Sequence, residues 1–445
     1  MSESRIVVIG GGLSGLAAAA ALAEKGCQVT LLEARARLGG RAGSFTDAVT
    51  GQMVDACQHV SMGCCTNLAH FFDRLGLGAM LVPQPTLYFM TPDRRVSPFR
   101  ADRLPAPFHL ARTFLKAHYL TWSEKLRIAW GLAAMLRVPA DADPPLLPWL
   151  LAHRQTERTI ARFWNLILAS ALNESVDRVG LKYARKVFRD GFLRHRDGFT
   201  VHVPAVPLGR LYGDELRTWF DSHGVTIREN AAVRSLGIAG DRVERVILRD
   251  GSECQADQYV LAVPFERVGD LMPAEMAGND YFAQPGRLQP SPITSAHFWY
   301  DRPVLDLPHV VLLDSVGQWV FNREGTYLQV VVSAAREFRS LGHEELQRRI
   351  AAELAERFPQ VKEAQVVRAR MVTEHSATFS AIPGVDANRP DPASPIANLA
   401  VAGDWTATGW PATMEGAVRS GYRAAEVVLE RLGRPETLIR PDLGA

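Results

Sequence analysis

Gly10, Gly12 and Gly15 follow a short apolar run, Arg5–Ile9, and open an alanine-rich stretch, Leu13–Lys25. GxGxxG at a strand-to-helix junction leaves a chain few options. The first glycine permits a sharp turn, the second lets backbone approach a pyrophosphate, and the third lets helix and strand pack closely. The helix start at Leu13 and Ser14 offers free N–H groups and a positive dipole end to phosphates. A second strand, Gln28–Leu32, runs into Glu33, 18 residues beyond Gly15. A carboxylate there accepts hydrogen bonds from ribose hydroxyls and repels a 2′-phosphate. The βαβ unit therefore predicts a dinucleotide site, without separating NAD from FAD.

The chain has 445 residues, too many for one compact core, so two domains are expected. Apolar residues make up 47% and charged residues 22%, ordinary for a soluble globular protein. A net charge of +2 without a basic block speaks against nucleic acid. Ser2-Glu3-Ser4-Arg5 leads straight into the first strand, so no signal peptide is expected, and no run approaches the ~20 apolar residues of a membrane span. Five cysteines, with Cys64 and Cys65 adjacent, make a poor disulfide framework and suit a reducing cytoplasm. Cys57, His59, Cys64 and Cys65 cluster, but no CxxC pairs with a second ligand pair, and no metal is expected.

Between about 84 and 204 the chain reads as proline-punctuated and helical, with helices over Phe108–Leu120, Trp122–Leu136 and Trp149–Leu172. Asp141–Pro145 forms a loop between the last two. The α/β rhythm then returns: a helix over Leu208–Phe220, strands over Val225–Arg228, Arg242–Leu248 and Tyr259–Val263, and an Asp250-Gly251 hairpin turn between the last two strands. Ile293–Tyr300, Val310–Leu313, Trp319–Asn322 and Tyr327–Ser333 are β-rich, Glu344–Phe358 is helical, and a strand Leu399–Val401 precedes a closing helix, Ala412–Leu432. The α/β layer is thus interrupted twice. The expected division is a discontinuous cofactor domain (1–83, 205–270, 392–437), a substrate domain (84–204, 271–391) and a tail (438–445).

Arg35-Ala36-Arg37-Leu38-Gly39-Gly40-Arg41 resembles the Gly-Gly-Arg extension of glutathione-reductase-like flavoproteins, especially their amine oxidase and carotenoid desaturase branch. The resemblance implies a Rossmann-like FAD domain with an inserted substrate domain of helices and a mixed or antiparallel sheet. It implies that Ala34, Arg35, Gly39, Gly40 and Arg41 lie along the cofactor. The Asn230–Leu236 segment resembles the strand that meets the adenine, at Val233. Ala402-Gly403-Asp404-Trp405 and Gly409–Val418 resemble the C-terminal flavin motif, placing Gly403, Asp404, Pro411, Ala412, Thr413 and Met414 at the ribityl and flavin end. No cysteine lies in that motif, so the FAD is expected to be noncovalent.

Asp55–Cys64, Leu104–Leu110 and Thr406–Gly421 together are similar to the squalene-associated FAD-dependent desaturases, the hydroxysqualene dehydroxylases. The likeness extends to Arg162-Phe163-Trp164, Leu172-Asn173 and Arg189–Leu193. Cys57 departs from it, since that family usually has glycine there. The family implies reduction of a C30 allylic alcohol to squalene, on the route to hopanoids, with electrons from an external donor because no second GxGxxG occurs. It also implies association with upstream squalene-pathway enzymes. Such chemistry needs an apolar tunnel and a proton donor. The tunnel is expected from Phe108, Leu110, Phe114, Leu115, Tyr119, Leu120, Trp122, Leu126, Ile128, Trp130, Phe163, Trp164, Ile167 and Leu168.

His59 is the candidate catalytic acid, with Asp55 four residues before it; a structural histidine is the competing reading, and Glu174 and Arg419 are weaker donors. Residues 108–136 carry His109, Arg112, Lys116, His118, Lys125, Arg127 and Arg137 among apolar residues. This is either a basic amphipathic face for peripheral docking on the inner surface of the cytoplasmic membrane, or an ordinary solvated helix face. Rival functions are a carotenoid or dehydrosqualene desaturase, an amine oxidase (though Ser291–Tyr300 lacks the lysine such enzymes keep above the flavin), and a non-enzymatic prenyl-binding protein like the GDP-dissociation inhibitors.

Overall fold

In the computed structural model, which describes residues 4–444 apart from Thr50 and Ala277, strands Arg5–Ile9 (β1) and Gln28–Leu32 (β2) pair in parallel, with Ile9 beside Leu32. Ser2 and Glu3 before β1, and Ala445 of the tail, lie outside the described residues. Thr226–Arg228 extends the sheet beyond β2, while Gln258–Leu261 and then Leu399–Val401 extend it beyond β1, all in parallel. Strands covered on both faces need continuous apolar runs, and Ile6–Ile9 and Leu399–Val401 are buried throughout.

The first helix, Leu13–Glu24 (α1), is buried from Leu13 to Ala23. Its alanines follow from a close neighbour. The closing helix, Met414–Arg431, passes so near that a Cβ at Gly421 would lie 2.2 Å from the Ser14 carbonyl oxygen. Only small side chains permit that approach.

The second layer is a seven-stranded mixed sheet in the spatial order 366–379, 290–300, 327–332, 319–323, 309–312, 86–90 and 96–100. One pair, 309–312 with 86–90, is parallel; the rest are antiparallel. The fold is therefore the expected one, a parallel dinucleotide-binding sheet beside a mixed sheet with helices.

Several local expectations are corrected. Phe108–Leu120 is a short turn, Phe108–Leu110, and a helix that stops at Lys116. Lys125 Nζ donates to the Leu115 carbonyl, and Thr121 with Glu124 forms a capping box that starts a new helix, Trp122–Met135. Trp149–Leu172 breaks after Leu146–Ala152, where Arg154 takes a left-handed conformation (φ 62°), and restarts at Thr156. The restarted helix widens into a π-helical turn over Ile160–Asn165, and a second such turn spans Val187–Leu193. A third sits within Leu208–Ser222, at Leu211–Glu215. Asp250-Gly251 joins Arg242–Leu248 to a short strand, Glu253–Cys254, whereas the following strand belongs to the parallel sheet.

The strand Val366–Phe379 was not foreseen. It pairs with Pro290–Tyr300 but carries Arg368, Arg370, Glu374 and His375, so it lacks the apolar signature of a strand. The C-terminal segment is docked rather than trailing. Leu438 is buried, Asn67 exchanges hydrogen bonds with the backbone of Arg440, and Asp442 pairs with Arg419.

Candidate functional site

The β1–α1 turn is built by steric necessity. Gly10 sits at φ 109°, and a Cβ on Gly15 would lie 1.9 Å from the Gly10 carbonyl oxygen. Gly39 N–H donates to Gly11 O at 2.9 Å, laying the second glycine loop beside the first. Glu33 stabilises both loops: its Oε2 accepts from Gly11 N–H (2.7 Å) and its Oε1 from Arg35 N–H (2.8 Å). Each oxygen keeps a further lone pair for a ribose hydroxyl.

These loops line one cavity of about 800 Å³. It takes in Gly10, Gly12, Leu13, Ser14, Glu33, Ala34, Arg35, Gly39, Gly40, Arg41, Val233, Gly403, Asp404, Ala412, Thr413 and Met414. Two expected cofactor contacts, Gly15 and Pro411, are not on its wall. Gly15 lies beneath it, packed on Gly10, while the Pro411 carbonyl accepts from Thr413 Oγ1. Residues the sequence did not suggest also line it, among them Arg249, Arg267 and Glu374.

The C-terminal end of the site is organised by buried polar groups. Asp404 Oδ1 accepts from Arg41 Nη2 at 2.6 Å, and Arg41 Nη1 donates to Ala377 O at 2.8 Å. Arg389, foreseen by no motif, donates from Nη2 to the carbonyls of Asp404, Thr406 and Trp410 and so shapes the 404–410 loop. Thr413 caps the closing helix by accepting from Gly416 N–H. Glu415, fully buried, accepts from Asn67 N–H and Leu68 N–H and from Arg419 Nε. Met414, the first residue of that helix, lines the cavity, at the end where a helix leaves N–H groups without intrahelical partners. Glycine loops, ribose-competent Glu33, the Arg41–Asp404 pair and this helix start together fit the parts of FAD.

Beyond the loops the same cavity becomes an apolar chamber. Its walls come from Leu87 and Phe89, from Leu166 and Ile167 after the first π-helical turn, from Phe192 in the second, and from Val311, Trp319 and Phe321 of the mixed sheet. The tunnel expectation is corrected in detail. Of the residues proposed for it, Ile167 lines the cavity, while Phe108, Leu115, Trp122, Leu126 and Trp130 are exposed and Trp164, Ile128 and Leu168 are core. The inner sheet face replaces them. The carboxylates on the cavity wall are Glu33, Glu374 and Asp404, all close enough to Arg37 or Arg41 to interact with them.

His59 lines the cavity with Cys57 and Gln58. Its Nδ1 lies 2.9 Å from the Cys57 carbonyl oxygen, which can only accept, so Nδ1 carries the proton and Nε2 is the acceptor. Burial pulls its pKa below the ordinary histidine value. Burial therefore favours the neutral ring over the imidazolium that the expected acid role calls on. Burial also pushes the Cys57 thiol up to about 12, so it is no thiolate. Glu174 is buried outside the cavity wall, held by Arg336 and Arg178, and Arg419 is committed to Glu415 and Asp442.

A parallel dinucleotide sheet, a cofactor cleft closed by a C-terminal helix, and an apolar chamber continuous with it define a two-layer oxidoreductase of the flavoprotein type. The profile of the flavin containing amine oxidoreductases matches residues 13–429, and the chain belongs to that family of FAD-dependent oxidoreductases. Among curated relatives, it is 27% identical over 455 residues to the 15-cis-phytoene desaturase of Solanum lycopersicum, across 96% of this chain and 77% of that one. It is 27% identical over 430 residues to the hydroxysqualene dehydroxylase of Sinorhizobium fredii, across 95% of this chain and 97% of that one. Among solved structures, cyclohexylamine oxidase from Brevibacterium oxydans shares the fold with a TM-score of 0.68 at 20% identity, over 97% of this chain and all 100% of that one. An oxidoreductase from Methanosarcina mazei does so with a TM-score of 0.71 at 18% identity, over 94% and 98%.

Proposed function

We propose that the chain binds FAD noncovalently and removes the allylic hydroxyl of hydroxysqualene, giving squalene. The observation that carries this reading is the chamber: it is largely apolar, runs directly into the cofactor cleft, and among the described residues has no carboxylate away from the arginines of that cleft. An ammonium substrate finds no counter-charge there, whereas a long isoprenoid loses only unfavourable contact with water. Likeness to a hydroxysqualene dehydroxylase over almost the full length of both chains supports the same substrate class.

FADH2, when bound, would supply both the hydride that replaces the hydroxyl and the proton with which the hydroxyl leaves as water, so that alcohol and FADH2 give squalene, water and FAD. The chamber walls orient the chain and exclude bulk water from the reacting carbon. Arg41 and Asp404 would hold the cofactor end, and the helix start at Met414 would stabilise negative charge on the flavin. His59 orients the substrate hydroxyl, accepting its O–H at Nε2.

A second reading, desaturation with electrons running from substrate to cofactor, draws on one specific observation. A neutral His59 with Nε2 as acceptor suits taking a proton better than giving one. One anaerobic experiment separates the two. Protein with pre-reduced flavin mixed with hydroxysqualene should reoxidise its flavin and form squalene in equal amount. Reduction of oxidised protein by phytoene or squalene, with no response to hydroxysqualene, sinks the first reading in favour of the second.

A further inference from the structure

Every leucine, phenylalanine and tryptophan that is strongly exposed among the described residues lies between Leu104 and Leu151. The helix Trp122–Met135 turns Ile128, Gly131 and Met135 inward and leaves Trp122, Leu126 and Trp130, four residues apart, exposed at 67%, 71% and 59%. Residues four apart share one helix face, so this is a single apolar stripe. Hydrogen bonds make the patch contiguous with its neighbours. Lys125 Nζ reaches Leu115 O on one side, and Arg127 Nη1 reaches Arg154 O on the other.

Within residues 103–140 the exposed charge has one sign, with the exposed carboxylates of Asp141 and Glu157 at the margins. Arg103, Arg112, Lys116, Arg127 and Arg137 are exposed, whereas no acidic residue from 103 to 140 is: Glu124, the one in that range, is buried and paired with Arg158. Apolar patches of this kind on a soluble surface mark interaction sites. Indole rings beside exposed basic groups match the boundary between acyl chains and anionic headgroups. The patch is also one layer from the chamber. Tyr119, just before the helix, packs its ring on Phe89 of the chamber wall, and Phe114 packs on Phe163, three residues before Leu166.

We propose that this face docks the protein peripherally on an anionic lipid bilayer, with Trp122, Leu126 and Trp130 entering the interface and the basic ring holding headgroups. No turnover is needed to test it. Flavin-loaded full-length protein is sedimented with vesicles of phosphatidylcholine containing a minority of phosphatidylglycerol, and with phosphatidylcholine alone. Binding to the anionic vesicles is expected, falling by about tenfold when Lys116→Ala and Arg127→Ala are combined or when salt is raised. Combining Trp122→Ser, Leu126→Ser and Trp130→Ser should release the protein into the supernatant, with circular dichroism and flavin absorbance unchanged because these side chains are already exposed. Equal binding to both lipids, or undiminished binding by the triple serine variant, overturns the proposal. So does a protein that ignores vesicles but forms a dimer which the serine variant alone abolishes, since the face would then belong to a second copy.

Discussion

His309 stands in the mixed sheet between the rings of Trp319, Phe321 and Tyr88, and burial pulls its pKa down to about 4. An unfolded chain protonates the same ring near 6.5. Between those values the unfolded state binds the extra proton, so stability present at pH 7 is lost as pH falls below about 6.5, and the loss levels off below about 4. Replacing His309 with Phe should remove about 2 kcal/mol of the destabilisation between pH 7 and pH 5, read from urea midpoints at each pH. His59 obeys the same sign. Its orienting role predicts that His59→Ala slows single turnover with pre-reduced flavin by about a hundredfold at pH 7, as loss of a substrate-positioning group does. Full rate in that variant would leave His59 a structural residue. The Arg41–Asp404 pair, a charge-assisted bond of 2.6 Å, predicts that Arg41→Ala weakens flavin retention by about tenfold, measured by release of flavin fluorescence on dilution.

The closing helix shows how an element is held by distant sequence. Its second residue, Glu415, has no solvent exposure and takes N–H donors from Asn67 and Leu68 and a guanidinium from Arg419. Glu415→Gln should therefore cost about 3 kcal/mol of stability and loosen flavin binding together, because it leaves the buried Arg419 with Asp442 alone and removes the carboxylate that holds the Asn67 and Leu68 N–H groups. A flavin-saturated Tm that falls less than the apo Tm would show that the helix start is what the cofactor stabilises. Element type was readable wherever the pattern was local. β1, α1 and β2 follow from one glycine spacing and one apolar run. Val366–Phe379 was not readable, since its half-exposed arginines and glutamate make it a strand only through pairing with Pro290–Tyr300. The π-helical turns at Ile160–Asn165 and Val187–Leu193 escaped for a related reason: a single inserted residue in a helix leaves no compositional trace.

Across the whole molecule, cofactor cleft and chamber are one space with two chemistries. Ala171→Trp, which adds bulk to the chamber wall, should leave flavin spectrum and affinity unchanged while lowering turnover of a C30 substrate by at least about tenfold. Loss of flavin in that variant would mean the two compartments are not separable. The cofactor end was legible in sequence because phosphate and ribose recognition rests on backbone geometry. Gly10, Gly12, Glu33 and the Gly39-Gly40-Arg41 turn must stand at fixed spacings whatever surrounds them. Even the fit of Thr413 and Met414 to a helix start was local. The chamber was not legible, because its walls meet only when strands near 89, 311 and 321 are laid against helices near 167 and 192. Apolar residues look alike in sequence whether they face a core, a ligand or solvent. Tertiary packing put Ile167 on the chamber wall, buried Trp164 behind it, and left Trp122 and Trp130 outside. It likewise set His59 against the Cys57 carbonyl and so decided which of its nitrogens holds the proton.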